Sequence, residues 1–419
     1  MSTLARTFDS LRVRNYRLFF SGQVVSWTGT WTAWVAQGWL VLQLTGSGFG
    51  LGVVTALQWL PVLLFGAWAG VIADRFEKRK VLIATNVSSA ALSLILGLVT
   101  VLGLVELWMV IADALLMGLV TAIDNPTRQT FTYEMVGRER LQNAVSLNTA
   151  TFTTARVLGP AAAGFLIAGV GIGECFLVNA ASFIPITIAL SVMDKSALRP
   201  TERAQAARGQ VREGLRYVLD EPLLRRVLVI MAIVGTLQYN FQVILPVLAK
   251  DTFEGSAATL GFLGASVGIG MFAGSMLSAA YGRPTRDVLL RAGFMLGGLS
   301  LLTAAAPSVW VAALLMVPLG AASMAFLATV NSTLQLRSSD AMRGRVMALY
   351  FVLFLGSTPI GAPIIGWIAE TIDARAALAT GGIATLSACL YGVMRLPLEE
   401  PPARARLEPN LEMGVEQTD

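Results

Sequence analysis

The 419-residue chain is 55% hydrophobic and only 14% charged, whereas charged residues make up about a quarter of an ordinary soluble protein. A soluble domain of this size could not bury so much apolar surface, so we predict a polytopic membrane protein. The net charge of +5 could indicate a nucleic-acid partner, but the basic residues lie in short clusters between apolar runs, and we expect none. The chain has no histidine, which excludes a histidine-based metal site or proton relay, and we expect neither metal nor cofactor.

Apolar runs of 18 residues or more recur along the chain, and each is long enough to cross a hydrocarbon core of about 30 Å as a helix. The first run is too long for the core of a signal peptide, so we expect it to be the first transmembrane helix. The runs predict twelve helices, six on each side of a polar connection. They cover 16–44, 49–73, 80–103, 107–127, 141–169 and 172–193, then 224–249, 257–281, 287–306, 309–334, 342–370 and 376–395.

The placement of basic residues tests this topology. Only Lys250 and Arg375 lie in or beside predicted outer loops, and only Arg156 lies deep within a predicted helix. The other lysines and arginines fall on the side that carries both termini, which is the distribution of the positive-inside rule. We therefore expect an all-α protein with twelve transmembrane helices in the cell inner membrane, with lipid around it and both termini in the cytoplasm.

An internal repeat relates the two sets of six helices. A shift of 202 residues aligns three pairs of glycines, namely Gly118 with Gly320, Gly159 with Gly361 and Gly164 with Gly366. Parallel repeats with small residues at helix contacts are typical of transporters. The repeat predicts two pseudo-symmetric six-helix bundles, a first half at 1–196 and a second half at 223–396.

The polar connection between the halves predicts a cytoplasmic linker at 197–222. Within it, Val211, Leu215 and Val218 share one helical face, which predicts an amphipathic helix on the membrane surface between Arg208 and Leu219. The acidic, proline-containing tail at 397–419 is predicted to be disordered.

A charged turn follows the second predicted helix, with the sequence GVIADRFEKRK at residues 70–80. Its spacing resembles the signature loop of the major facilitator superfamily, although Glu77 stands where the usual pattern has glycine and leaves the geometry of the turn open. In that family the aspartate and arginine hold the two halves together on the cytoplasmic side. The alternative is a basic loop that only sets topology. The resemblance implies a conformational-switch role for Gly70, Asp74, Arg75 and Arg79.

Further motifs lie in the fourth to sixth predicted helices: NPTRQ at 125–129, LQNA at 141–144, ARVLGP at 155–160 and NAASF at 179–183. Together they resemble the third drug:proton antiporter family, the branch of that superfamily that includes the enterobactin exporter and macrolide-efflux proteins. The resemblance covers residues 10–396 and implies the major facilitator fold. Gly159, Pro160 and Gly164 also resemble a helix-five motif of antiporters that bends the helix and seals the outer side; an ordinary proline kink is the alternative.

Three charges of the first half are expected to be buried within predicted helices, namely Asp113, Asp124 and Arg156. A charge deep in the bilayer costs ~2.5–3.5 kcal/mol on insertion scales, so Arg156 should face the interior and have a partner. Asp124 has Arg128 four residues further on, and an ion pair within the helix would explain it. Asp113 has no such local partner. We hypothesise that Asp113 or Asp124 carries the coupling proton, with Arg156 controlling its release.

By the same resemblance, the first and seventh predicted helices line a central cavity. The first carries a polar and aromatic stripe, and uncharged polar side chains follow in the seventh, with two rings of the eleventh as an opposite wall. Large rings beside uncharged polar groups suit a bulky, amphipathic ligand. Interfacial placement is the alternative for Trp27. The candidates are Gln23, Trp27, Thr30, Trp31, Trp34 and Gln37, then Gln238, Tyr239 and Gln242, then Tyr350 and Phe354.

These features favour a monomeric secondary transporter that exports a hydrophobic or amphipathic small molecule, such as a drug or siderophore, in exchange for protons. Import, or flipping of a lipid-like substrate, is the alternative. A membrane enzyme is disfavoured because the sequence shows no metal-ligand cluster and no paired catalytic carboxylates. The glycine-rich runs lack a P-loop lysine, which disfavours ATP-driven transport, and no filter motif indicates a channel.

Overall fold

The computed structural model describes residues 8–199, 210–281, 284–339, 342–354 and 356–396, without side chains at 67–74, 210–212 and 279–281. The predicted disordered tail at 397–419 lies outside the described residues, as does Arg208 at the start of the predicted linker helix. All the regular secondary structure in the described residues is helical.

The helices fall into two groups joined by one short helix. The first group holds α1 (Arg14–Thr45), α2 (Gly48–Arg75), α3 (Lys78–Val101), α4 (Leu107–Gly169) and α5 (Ile172–Ser191). The joining helix is α6 (Gln210–Asp220). The second group holds α7 (Pro222–Leu237), α8 (Phe241–Val247), α9 (Ala257–Tyr281), α10 (Arg286–Ala304), α11 (Val309–Arg337), α12 (Arg343–Phe354), α13 (Thr358–Thr371) and α14 (Ala374–Arg395). A π-helical turn, Leu248–Thr252, follows α8.

Helix α4 corrects the predicted loop at 128–140. The chain stays helical through this stretch and turns sharply only at Gly137, where φ is 70° and ψ is 179°. Charged residues in this stretch suggested a loop, but they form ion pairs. Lys78 Nζ of α3 lies 2.6 Å from Glu134 Oε1, and Arg128 binds Asp124 within α4. Gly137 divides α4 into a first arm and a second arm, because its backbone conformation is one that essentially only glycine adopts.

Two other predicted helices are broken. The predicted helix 224–249 stops at Leu237 and resumes at Phe241, since the Asn240 side-chain amide donates to the Thr236 carbonyl at 2.7 Å in place of a helical backbone bond. The predicted helix 342–370 divides into α12 and α13. Pro359, in the first turn of α13, has no N–H with which to continue the backbone ladder from α12.

Ten helical segments of the described residues are long and apolar enough to cross a membrane. Helix α4 is one of them, yet its 63 residues would extend to ~95 Å if straight, about three times the hydrocarbon thickness. Its turn at Gly137 therefore separates two lengths that could each span. The first helix, α1, is not among the ten, and it is the helix that buries glutamines Gln23 and Gln37.

The glycines aligned by the 202-residue repeat meet equivalent neighbours. A Cβ atom on Gly118 would lie 2.3 Å from the Gln58 carbonyl oxygen in α2, and one on Gly320 would lie 2.2 Å from the Val267 carbonyl oxygen in α9. No Cβ atom can lie this close to a carbonyl oxygen. The close packing of the helices at both sites therefore requires glycine. The sequence repeat is thus also a repeat of helix contacts.

Candidate functional site between the two helix groups

The two groups meet along a first seam between the second arm of α4 and α9. A Cβ on Gly261 would lie 2.7 Å from the Pro160 carbonyl oxygen, and one on Gly164 would lie 3.3 Å from the Ala257 carbonyl oxygen. Gly268 extends the seam to Arg156, since its Cβ would lie 2.7 Å from the Arg156 carbonyl oxygen. Pro160 and Gly164, two residues of the predicted helix-five motif, therefore form part of the contact between the groups.

A second seam joins α2 to α13 and repeats the first. A Cβ on Gly52 would lie 2.4 Å from the Ala362 carbonyl oxygen, and one on Gly366 would lie 2.3 Å from the Gly48 carbonyl oxygen. Ala362 and Gly366 are the 202-residue equivalents of Pro160 and Gly164, while Gly52 and Gly48 lie 209 residues before Gly261 and Ala257. The same positions of the repeat therefore build both seams.

Both seams lie at one end of the bundle, which we call the closed end, beside the turns at 46–47, 170–171 and 372–373. Two polar links between the groups reinforce this end. The Glu370 carboxylate accepts hydrogen bonds from the Ser47 hydroxyl and from the Phe49 backbone N–H, the latter at 2.9 Å. The Lys250 ammonium donates to the Leu42 carbonyl at 2.9 Å. The helix groups are thus held together at the closed end by packing and by hydrogen bonds.

A cavity lies beside the first seam and takes its walls from both groups. The volume open to the centres of water-sized molecules is about 80 Å³, and the cavity is partly open to its surroundings. Of the predicted cavity residues, Trp31, Trp34 and Gln242 line it. The complete lining is Trp31, Trp34, Val35, Arg156, Pro160, Phe241, Gln242, Leu245, Pro246, Leu260, Gly264, Val267, Gly268 and Met271.

Arg156 is the only charged side chain in that lining. Its guanidinium carbon lies 4.8 Å from the centroid of the Trp31 ring and 5.8 Å from that of Phe152. Within the described residues it has no ion pair and no hydrogen bond. The predicted partner of Arg156 is therefore not an acidic side chain but two aromatic rings, which contribute ~0.5–2 kcal/mol each through cation–π attraction.

Aromatic rings continue outward from Arg156 on both sides. In the first group, Trp27 packs edge-on against Phe152 at 5.3 Å. In the second group, Tyr239 packs edge-on against Phe354 at 5.5 Å, and Tyr350 stacks on Phe354 at 6.0 Å. Tyr239 also interacts electrostatically with Arg156. These four predicted residues lie next to the cavity but outside its lining.

The remaining predicted polar residues lie elsewhere. Gln238 is buried within the second group and donates to the Ser300 hydroxyl at 2.8 Å. Thr30 donates to the Ser26 carbonyl of its own helix. Gln23 and Gln37 are buried, and among the described residues neither side-chain amide nitrogen has a hydrogen-bond partner. Gln23, Gln37 and Gln238 are thus buried and Thr30 is half-buried, and none of the four lines the cavity.

The two candidate carboxylates have different surroundings. Asp124 accepts hydrogen bonds from the Thr85 hydroxyl at 2.7 Å and from Arg128 Nε at 2.8 Å, so it forms the ion pair that the four-residue spacing predicts. Asp113 has a buried carboxylate oxygen without a hydrogen-bond partner in the described part of the chain. Neither forms an ion pair with Arg156.

The signature turn is placed at the end of the bundle opposite the closed end. Gly70 and Asp74 are in α2, but their side-chain surroundings are not among the described features, and the Arg75 side chain is exposed. Arg79 is buried and donates to the carbonyls of Leu190 and Ser191, which end α5, at 2.5 and 2.7 Å. Arg79 therefore joins two helices of the first group.

Glu77 replaces the glycine of the usual loop without strain. Its φ is −64° and its ψ is 110°, which any residue adopts. The Lys80 ammonium, which binds Glu77 Oε2 at 2.9 Å, lowers the pKa of that carboxyl. The turn geometry that the replacement left open is thus ordinary extended backbone.

Sequence reasoning missed Phe152 and Phe241. Phe152 contacts the rings of Trp27 and Trp31 and lies over Arg156, and Phe241 lines the cavity. Phe152 lies four residues before Arg156, a helical spacing at which side chains meet, and this spacing could have identified it. Nothing in the sequence distinguished Phe241 from the other apolar residues around it.

The chain is similar in sequence to several membrane transporters. A family model described as transmembrane secretion effector matches residues 5–418. The multidrug efflux pump Tap of Mycolicibacterium fortuitum is 27% identical over 356 residues, which cover 82% of this chain and 86% of Tap. The enterobactin exporter EntS of Escherichia coli O1:K1 is 24% identical over 388 residues, 91% of each chain. The staphyloferrin A transporter of Staphylococcus aureus is 26% identical over 251 residues, which cover 58% of this chain and only 62% of that protein.

Solved structures share the fold. A variant of the nucleoside transporter NupG superposes with a TM-score of 0.71 at 13% identity, over 91% of this chain and all of that one. A bacterial homologue of the human lysosomal transporter Spinster, in an inward-facing and unoccupied conformation, superposes with a TM-score of 0.68 at 14% identity, over 94% of this chain and 96% of that one.

Proposed function

The chain belongs to the transmembrane secretion effector family of the major facilitator superfamily, and we propose that it exports hydrophobic or amphipathic small molecules by alternating access, in exchange for protons. The cavity between the helix groups is the observation that carries this proposal. Trp31, Trp34 and Arg156 line it from one group, while Phe241 and Gln242 line it from the other. A site built from both groups changes shape when they move relative to one another, as alternating access requires.

The proposed topology has twelve spans and both termini in the cytoplasm of a bacterial cell. Division of α4 at Gly137 and inclusion of α1 would raise the ten apolar segments to twelve. The basic residues of the turns opposite the closed end support a cytoplasmic location for that side. With this orientation the closed end is the outer one, so the seams at Gly164 and Gly366 would seal the cavity from the outside in an inner-membrane protein.

The proposed units are a first half at 1–196, a linker at 197–222, a second half at 223–396 and a tail at 397–419, working as a monomer. In the first half, Asp113 or Asp124 would carry the coupling proton. Asp113 is the stronger candidate, because Asp124 is already paired with Arg128, whereas a carboxylate oxygen of Asp113 is buried without a hydrogen-bond partner among the described residues. Asp74 and Arg75 would hold the halves together on the cytoplasmic side when the cavity faces outward.

Import, or flipping of a lipid-like substrate, is the alternative. The solved neighbours include a nucleoside transporter. In addition, an apolar groove lies between α2 and the first arm of α4, where Leu64, Phe65 and Leu116 are exposed. Its lining is Leu60, Pro61, Leu64, Phe65, Ala112, Leu115, Leu116 and Leu119. A groove of this composition suits an acyl chain, which supports the flippase alternative.

A substrate panel would test the proposed function. The chain is expressed in a bacterial strain that lacks its own efflux pumps, and accumulation of drugs and siderophore-like compounds is measured with and without a protonophore. We expect lower accumulation of at least one amphipathic compound, reversed by the protonophore. Higher accumulation would favour import, and movement of a labelled phospholipid between leaflets would favour flipping. No change for any compound would contradict export.

A further inference from the structure

No acidic side chain of the described residues neutralises the positive charge in the cavity. Arg156 has aromatic neighbours but no acidic one within the described residues. Of the two candidate coupling carboxylates, Asp124 is paired with Arg128, and Asp113 forms no ion pair with Arg156. A cation at this depth without a counter-charge costs several kcal/mol, so its presence needs an explanation other than fold stability.

We propose that Arg156 is the anchor for the anionic group of the substrate, and that the transported class is organic anions with a carboxylate or similar oxyanion on an apolar, ring-containing body. This inference rests on the proposed transport function and specifies its ligand. The substrate would supply the counter-charge that no described residue provides. Binding would then be favoured because the desolvated Arg156 side chain gains an ion-pair partner without first losing one.

The surroundings of Arg156 fit the rest of such a molecule. Guanidinium N–H groups bind a carboxylate through two parallel hydrogen bonds, and those of Arg156 are not used by any described residue. Trp31 packs on the guanidinium at 4.8 Å, which restricts where its side chain can turn. Next to it, Trp34, Phe241 and Met271 provide apolar wall, and Gln242 provides one uncharged polar contact.

The charge of the cavity lining also fits an anion. The lining has one positive charge and no negative one. A cationic ligand would therefore bring a second positive charge into a low-dielectric site, and is disfavoured there.

The test uses two probes of matched shape, 2-naphthoate, which is ionised at neutral pH, and 2-naphthamide, which is not. Binding of each to the purified full chain in a neutral detergent is measured by calorimetry. A hydrogen bond to a charged group contributes about 1.5–3 kcal/mol, so we expect naphthoate to bind at least tenfold more tightly than naphthamide. Equal affinities in the unsubstituted protein would overturn the proposal without any variant.

The variant Arg156→Gln should lose that preference, with naphthoate binding weakened at least tenfold and naphthamide binding changed less than threefold. Arg156→Lys keeps the charge but not the paired donors, so we expect an intermediate loss. The matched control is Arg375→Gln, because Arg375 also lies over a ring, Phe253 at 5.8 Å, but outside the cavity. Arg375→Gln should leave the preference intact. An equal loss in this control would mean that net charge alone is responsible, and would overturn the proposal.

An acyl-chain anion distinguishes a lipid source from a ring-containing one. Dodecanoate should bind more weakly than naphthoate and displace it poorly. Tight binding of dodecanoate alone, also lost in Arg156→Gln, would replace the proposed class with lipid-like anions. These binding measurements do not depend on the direction of transport, so the anion site and the export function are tested separately. A preserved preference for naphthoate with no efflux in any cell assay would contradict export and leave the anion site in place.

Discussion

The carboxylate of Glu370 accepts the backbone N–H of Phe49 at 2.9 Å and also accepts the Ser47 hydroxyl. A side chain of the second helix group therefore caps the first turn of α2 in the first group, where backbone N–H groups have no helical partner. The first seam has no counterpart of this bond, since the position 202 residues before Glu370 is Ala168. Among the described residues, the first seam is thus held by packing, and the second by packing and a charged cap.

Replacing Glu370 with alanine should loosen the closed end. The cap is exposed, so we expect a change of about 1 kcal/mol or less, which is up to a fivefold shift in the open population. Spin labels at Leu104 and Ala305, on turns of the two groups at this end, would report the change as a broader distance distribution. Cys175 and Cys389 are first replaced with alanine so that only the introduced thiols are labelled. Glu106→Ala is the control, because Glu106 binds Trp108 of its own group, and an equal change there would contradict the assignment.

Gly361→Ala should destabilise the folded protein. A Cβ at this position would lie 1.8 Å from the Thr236 carbonyl oxygen, and backbone atoms cannot give way cheaply, so we expect a loss of about 1–3 kcal/mol or more. The matched control is Gly298→Ala in α10, where nothing lies within 4 Å of the added atom and helix propensity favours alanine by up to ~1 kcal/mol. Thermal unfolding midpoints in detergent should fall for the first variant and not for the second. Equal midpoints would disprove the close contact.

The two candidate carboxylates should behave differently on neutralisation. Asp124→Asn leaves Arg128 without its partner, and breaking such a buried pair costs about 3–5 kcal/mol, so its thermal midpoint should fall. The double variant Asp124→Asn, Arg128→Gln should recover most of the loss. Asp113→Asn should fold normally but lose efflux driven by a pH gradient in vesicles. Normal proton-driven efflux by Asp113→Asn would remove it as the coupling group.

Gly137→Ala should strain the turn within α4. The glycine has φ 70° and ψ 179°, a conformation that costs other residues about 1–3 kcal/mol. We expect the free energy of unfolding to fall by that amount and the thermal midpoint to fall with it. Gly169→Ala, at the end of the same helix with open space around it, is the control and should be close to neutral. A Gly137→Ala variant as stable as this control would mean that the turn is not held in this conformation.

The helices were largely predictable because bilayer thickness imposes a length on every apolar run. The Asp124–Arg128 pair was predictable for a similar reason, since helical spacing alone brings the two together. The break at 238–240 was not, because it depends on the Asn240 side chain reaching the Thr236 carbonyl, and asparagine in a helix more often points elsewhere. The continuity of α4 past residue 128 depends on Lys78 binding Glu134, a contact between helices that no local pattern encodes.

The cavity was only partly predictable. Periodicity identified the polar stripe of α1 but not which of its members face the other group. Trp31 and Trp34 line the cavity, whereas Gln23 is buried and does not line it. In a membrane bundle, polar and aromatic side chains occur both between packed helices and along cavities, so hydropathy cannot separate the two faces. The sequence predicted that Arg156 is buried, but it did not identify all the aromatic residues that contact it.

The equivalence of the two seams has an evolutionary consequence. Gly52 meets the Ala362 carbonyl as Gly261 meets the Pro160 carbonyl, so each half presents to the other the same pair of surfaces in exchanged roles. This is the rule of a symmetric dimer, in which one patch is complementary to its twin. A single six-helix ancestor could therefore have closed against a second copy of itself before gene fusion joined them. In a single chain each copy can change alone: Arg156, which forms no ion pair with a described residue, and the Glu370 cap are features that a symmetric dimer would carry twice.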